Sequence, residues 1–478
     1  MVGVGSVPNE HVSRRRRAPS GVWTATTYFA EGFPYNIVHK LAEILFADMG
    51  ASLAAIGLTS LFHLPLNFKF LWASWADTYG NKKQWLIGAE LALAGAVAAL
   101  ALATGSSSLT TLSVLFVGIA LLMATHDIAI DGYYLEALDE RAQARWVGLK
   151  APAYRAALLL VGGPLLSLTG VIGWSWVFAL CALALVGLSG FHFVALPGVR
   201  AQRLSFRAFW LGMPGATIAL VLVGFVVALR VSLSRSSSDL QLPDGFDVGW
   251  ASLGLVAVLL GVGLVAASGK LRSLDSDFTR GLAAFMGQPR VGVILAFMVT
   301  FRLGESFLEK MRYVFLAEHG MTKAFYGIAQ GTVGMSAALV APLIGGFLIS
   351  RHGLRAWIWP FVLAQNGLNL LYFGLAMAAG ESDLSRLTMG SVIVVEMFGA
   401  GLGTAVFMVF IMRCCMAEHR AAHMALLTSV MSIGYTLSGT VSGFIAEAWG
   451  FQNYFLFTFI ATIPNMVLIF FLPKLRQT

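Results

Sequence analysis

The sequence predicts an all-α polytopic membrane protein of about fourteen transmembrane helices. Composition is the first observation: 58% of the 478 residues are hydrophobic and 12% charged, with a mean hydropathy of +0.77. Soluble domains carry about 25% charged residues, so solvating side chains are at half strength. Length is the second. Many separate stretches reach the roughly 20 apolar residues that cross a bilayer as a helix. Backbone groups in lipid must be bonded internally, and stretches this long favour helices over barrel strands. The third observation is the order of the basic residues along the chain, taken up below.

The spans fall near 22–46, 53–76, 85–104, 109–135, 146–170, 174–196, 206–230, 248–268, 289–315, 322–349, 355–378, 387–413, 420–447 and 452–473. The first carries Glu31, Lys40 and Glu43 and opens a long polytopic pattern, so it reads as a retained span and not a cleaved signal peptide. With the N-terminus in the cytoplasm, 21 basic residues fall in inner loops and tails, among them Arg14 to Arg17, Lys82 and Lys83. Five fall outside: Arg230, Arg235, Arg312, Lys323 and Arg386. This asymmetry sets both termini in the cytoplasm. It also accounts for the +8 net charge without nucleic acid, anionic lipid being a minor extra partner.

The chain divides into a disordered basic tail (1–20), a six-helix half (21–197), a two-helix insertion (198–288) and a second six-helix half (289–478). The inserted helices flank the polar loop SLSRSSSDLQLPDGFDVG and have no ionisable residue in their middles, which points to peripheral packing. The halves show a repeat. ASWADTYGNKK follows the second span, and GGFLISRHGLR follows the second span after the insertion. Ala73, Asp77, Gly80 and the Lys82–Lys83 pair align with Gly346, Ser350, Gly353 and Arg355. Parallel halves of this kind place a substrate at their interface near the bilayer midplane.

Ionisable residues at membrane depth are the functional signal. Asp127 and Asp131 lie one turn apart in LFVGIALLMATHDIAIDGYYL, beside His126. Each carboxylate costs roughly 2.5–3.5 kcal/mol to insert, and the usual reason for one is a polar pathway through the bundle. Glu31 precedes Gly32 and Pro34, which loosen the helix and free carbonyls to line a cavity. Lys69, Lys150 and Arg155 reach the same level, so the first half holds acids and bases in near balance. In the second half Arg302, Glu305 and Glu309 share one helical stripe, and Glu396 reaches comparable depth. Plainer readings stand beside these: Asp131 and Lys150 as a structural pair, and Glu309 at an exposed helix end. Cys181, Cys414 and Cys415 read as packing residues, and His419 with His423 as a solvated loop face rather than a metal site. No metal or cofactor is expected. The motifs of nucleotide, hydrolase, zincin and redox enzymes do not occur, so an enzyme is not expected.

The loop after the second span resembles the G-x-x-x-D-x-x-G-x-[KR]-[KR] signature of the major facilitator superfamily, with Ala73 in place of the first glycine. FAEGFP (Phe29 to Pro34), FKFLWASWADTYG (Phe68 to Gly80), ATHDIAIDGYY (Ala124 to Tyr134) and EMFGAGLGTAVFMVFIM (Glu396 to Met412) are similar to the AmpG muropeptide permease family. Two positions depart from that family: Glu31 stands where a small polar residue is usual, and His126 where glutamine is usual. The resemblance implies proton-coupled import, by alternating access, of cell-wall-derived muropeptides such as GlcNAc-anhydromuropeptides through the bacterial inner membrane. Relatives carry other solutes such as siderophores, and a non-transporting assembly factor on the same fold is the rival class. Under this resemblance the proton-coupling acids are Asp127 first, then Glu31, with Asp131 and Glu305. Lys69, His126, Arg155, Arg302 and Glu396 would contact substrate, with Tyr35 and Tyr154 stacking on sugar. Asp77, Gly80, Lys82 and Lys83 would form the gating loop. The partners are then a small solute, protons and lipid, and the chain is expected to be a monomer.

Overall fold

The structure is a computed structural model that describes residues 19–69, 72–105, 108–199, 207, 284–380, 383–416 and 420–472. The expected spans near 206–230 and 248–268, and the basic tail, lie outside the described residues. The first half holds α1 (20–48), α2 (53–68 and Ala73–Thr78), α3 (Lys82–Ala103), α4 (Leu109–Ala137), α5 (140–172) and α6 (Trp174–Ala195). The second holds α7 (Val291–Glu318), α8 (Lys323–His352), α9 (Leu354–Ala379), α10 (Arg386–Cys414), α11 (420–449) and α12 (451–469). Among the described residues there is no strand, and twelve of the expected spans have a helical counterpart.

Local chemistry sets the ends. Ser52, Ser108, Asp139, Thr322 and Ser385 each accept a bond from a first-turn backbone N–H. Asn81 and Gln84 close a full capping box at the start of α3. Glycines with positive φ turn the chain after α1, α2 and α5 (Gly50, Gly80, Gly173) and again after α7, α8 and α11 (Gly320, Gly353, Gly450). The matching pairs lie 270, 273 and 277 residues apart, so the repeat seen in two loops extends to three corners of each half.

Among the described residues, nine helical stretches are long and apolar enough to cross a membrane, by length and composition, the last one covering both α11 and α12. Neither α1 nor α2 is among them. α1 carries Glu31, Lys40 and Glu43 and opens into a π-helical turn at Ile37–Leu41. α2 tightens into a 3-10 turn at Thr59–His63. Such turns re-aim side chains and concentrate at functional sites. Here they deliver polar groups to the interface of the halves.

The described residues bring the halves together at the end farthest from the start of α1. α1 and α2 pack there on α7 and α11, and α5 packs on α8. α5 is π-helical at Val161–Leu165, where Pro164 lacks an N–H, and α8 is π-helical at Gly327–Gly334. Gly162 and Gly331 touch backbone to backbone at this crossing; a Cβ on Gly331 would overlap the Gly162 carbonyl. Gly443 of α11 lies equally close to the Leu53 carbonyl of α2, with Gly57 beside it. The molecule is therefore sealed at one end.

Gly331→Val should pry this crossing open. Overpacking costs about 1–3 kcal/mol, which lowers the sealed population roughly 5- to 150-fold. Labelling of a cysteine placed at Ala54, buried beside Gly443, should rise by a comparable factor. Unchanged labelling would contradict the seal.

Candidate functional site

Just inside the seal lies a cavity of ≈ 220 Å³ between the halves. One wall is Tyr35, His39, Lys40 and His63 from α1 and α2. The facing wall is Arg302, Glu305 and Glu309 from α7 with Tyr435 from α11. Tyr35, His39 and Glu43 lie at i, i+4 and i+8, which puts them on one stripe of α1.

The roof is ionic. The Lys40 ammonium donates to Glu43 at 2.6 Å and lies 3.8 Å from Glu309. Lys310 reaches Glu43 at 3.5 Å and donates to the Thr59 hydroxyl at 2.6 Å. Two cations and two anions thus alternate across the interface, and Lys40, Glu43 and Lys310 are buried. Nearer the surface Asp48 accepts from Lys323 (2.5 Å), Tyr313 (3.2 Å) and Trp174 (2.8 Å), tying α1 and α6 to α7 and α8. Asn67 of α2 completes the join, donating to Thr436 of α11 at 3.1 Å and accepting from Ser432.

Toward the open end stands the carboxylate cluster. The Lys69 ammonium donates to the Asp127 carboxylate, and Glu31 lies within hydrogen-bonding reach of Asp127. One Glu31 oxygen is buried with no partner. Two carboxyls therefore face one ammonium. Asp131, a turn farther on, is half exposed and bonded to Lys150 (3.1 Å) and Tyr28 (2.7 Å). Lys150 also sits 4.4 Å over the Tyr28 ring. Asp131 thus belongs to a clasp of α1, α4 and α5, apart from the Lys69 pair.

The remaining expected site residues divide. Arg302 binds Glu305 through both its Nε and Nη2, at 3.0 and 2.7 Å, so these two form one unit. Arg155 lies within electrostatic reach of Arg302 and has no carboxylate partner among the described residues. Tyr35 and Tyr154 stand 5.7 Å apart, ring to ring, and Tyr35 bonds His63 at 3.1 Å. His126 does not line the cavity. It is fully buried, near His192, which is itself held by Glu90 (2.9 Å) and Thr26 (3.1 Å). Glu396 does not line it either. It is bonded to Arg312 at 2.5 Å inside the second half, both side chains buried. Arg312, counted above as an outer-loop base, is thereby corrected: it lies within α7, and the outer count falls to four.

In the expected gating loop, Gly80 has φ +62°. Lys82 is buried along Gly132 of α4. Lys83 donates to the Phe193 and Leu196 carbonyls at 2.9 and 2.6 Å, closing the end of α6. Asp77 falls in Ala73–Thr78, but its side chain lies outside the described residues.

Comparison with known proteins agrees with this architecture. Residues 292–478 match the family model of the Major Facilitator Superfamily. The chain has the major facilitator fold. It overlays a POT family transporter in complex with 5-aminolevulinic acid with a TM-score of 0.67, at 16% identity over 96% of both chains. It also overlays an inward-open xylose transporter from Escherichia coli with a TM-score of 0.58, at 12% identity over 95% of both. Among curated sequences it is 23% identical to the Escherichia coli anhydromuropeptide permease over 448 residues, covering 92% of this chain and 77% of that protein. It is 25% identical to an uncharacterized protein of Haemophilus influenzae over 469 residues, 95% of this chain and 94% of that one. A putative transporter AmpG 2 of Rickettsia prowazekii matches at 30% over 208 residues, 43% of this chain and 50% of that one. Two of these relatives of this multi-pass membrane protein are thus named as a permease or an AmpG transporter.

Sequence reasoning missed His39, His63, Lys310 and Tyr435. The i, i+4 spacing of Tyr35, His39 and Glu43 was a signal for the first; His63 carried none, because its aim depends on the 3-10 turn. Glu396→Gln should lower stability by about 3–5 kcal/mol, since it leaves the Arg312 guanidinium buried without an anion. The double variant Glu396→Leu with Arg312→Met should lose far less. Thermal unfolding in detergent reads the difference, and equal losses would contradict the pairing.

Proposed function

We propose that this transporter is a proton-coupled importer of cell-wall-derived muropeptides, such as GlcNAc-anhydromuropeptides, working by alternating access in the bacterial inner membrane. The observation that carries the reading is the group Glu31, Asp127 and Lys69 in the first half, two carboxyls facing one ammonium. With both acids ionised it holds one net negative charge at membrane depth; one added proton makes it neutral. Protonation of Asp127 dissolves its bond to Lys69 and frees α2 to move against α4. Movement of α2 alters the packing of its outer part on α11, which is the seal.

The same interface offers groups for an anionic saccharide. Arg155, lacking a carboxylate partner among the described residues, suits a peptide-stem or lactyl carboxylate. Tyr35 and Tyr154 offer aromatic faces to sugar rings. The name of the Escherichia coli relative supports the same class of cargo. With both termini in the cytoplasm, the sealed end faces the periplasm and the structure is inward-facing. The transporter then acts as a monomer, with solute and protons entering from outside.

Proteoliposomes that are acidic outside and negative inside test the reading. Labelled GlcNAc-anhydromuropeptide should accumulate, and should stop accumulating when the proton gradient is collapsed. A ferric siderophore should not accumulate. Uptake of the siderophore in place of the muropeptide would overturn the substrate assignment.

A further inference from the structure

We propose that the imidazoles of His39 and His63 form a second protonation site, set in the seal, at which a proton from the sealed side opens that end of the molecule. Within the transport cycle this rests on the proton-coupled reading above; as a property of the seal it stands alone. His39 comes from the π-helical turn of α1 and His63 from the 3-10 turn of α2. Their ring centroids lie 3.4 Å apart with the planes tilted by 34°. Rings so close cannot both be imidazolium, because the two charges would face each other with no water between. The stacked arrangement is therefore that of a pair carrying at most one proton.

The surroundings decide what a proton does there. His63 is bonded to Tyr35 at 3.1 Å and meets Tyr435 of the other half at 5.1 Å, centroid to centroid. His39 Nε2 is buried and has no partner among the described residues, so it is free to bind a proton. On α7, Lys310 faces both imidazoles and Glu309 faces His63, while Arg302 and Glu305 lie farther along the cavity and are bonded to each other. On α1 the neighbouring charges are Lys40 and Glu43. From α5, Tyr154 lies beside Tyr35 with its ring tilted against it, and Arg155 is next to it in sequence. Lys40, Lys310, Glu43 and Glu309 already balance one another across the interface. A proton on the imidazole pair adds a positive charge beside Lys310 that no carboxylate there is left to meet. Parting the halves lets water reach that charge, so acid on the sealed side favours opening. The stack re-forms only when the proton has left, and the cavity that His39 and His63 both line is the way out.

The test reads the seal directly. In vesicles of known orientation, Ala54→Cys (6% exposed) is labelled from the sealed side with a membrane-impermeant maleimide. Its rate is divided by that of Met49→Cys (37% exposed) at each pH. The range is about 7.5 to 5.5, which brackets the ordinary imidazole pKa. The ratio should rise severalfold as pH falls in the otherwise native chain, and also in Asp127→Asn. It should stay flat in His39→Gln or His63→Gln, whose amides keep polar contacts; variants whose ratio at pH 7.5 matches the parent are taken as folded. No rise in the native background overturns the proposal, as does an equal rise in both histidine variants. A rise that needs the histidines while muropeptide uptake ignores the proton gradient would sink the transport reading and leave this site standing.

Discussion

The structure depends on one constraint: a charge held at membrane depth has to be matched by an opposite charge within the bundle. Removing an ion from water still costs several kcal/mol after relaxation, and pairing returns that only when partners are well placed. Glu396 with Arg312 meets the constraint inside the second half, and inside the first the buried Glu90 is hydrogen-bonded to His192. Those pairs hold their bundles together. The Lys40, Glu43, Lys310 and Glu309 quartet adds pairs that cross between the halves, Lys40 with Glu309 and Lys310 with Glu43, and these two pairs exist only while the halves are in contact. The Glu31, Asp127 and Lys69 group has one more acid than base, which marks it out from the rest.

Closeness of backbone does at the seal what charge does beneath it. Gly162 against Gly331 and Gly57 against Gly443 let α5 meet α8, and α2 meet α11, without side chains between them. The irregular turns occur at the same level in α1, α2, α5 and α8. Helices that pack this tightly and carry local π or 3-10 turns can part and rejoin as units. The interiors of the halves, by contrast, are dense with Phe, Leu and Ile.

Much of the fold was legible because a spanning helix needs a long apolar run and leaves one in the sequence. The loop repeat at Gly80 and Gly353 was legible for a similar reason: a positive φ favours glycine, and both halves need the same turn. The Asp131–Lys150 pair was readable from its place near helix ends. Partners distant in sequence were not. Arg312 looked like a loop base because Glu396, which holds it, lies 84 residues on. His126 follows a different logic. Successive helical residues point about 100° apart, so His126 could not share the direction in which Asp127 meets Lys69, and helix geometry alone could have separated them. His63 was hidden because the tightening of α2 at Thr59–His63 breaks the period from which a facing would be read.

The central claim is that one proton on the Glu31, Asp127 and Lys69 group couples solute movement to the gradient. Asp127→Asn mimics the protonated acid permanently, so the most direct measurement compares two modes of transport in that variant. Exchange of labelled for unlabelled muropeptide across proteoliposomes with no gradient should continue at a rate near that of the native chain. Accumulation against a concentration difference, driven by external acid, should be lost. Retention of gradient-driven accumulation by a folded Asp127→Asn protein would contradict the account.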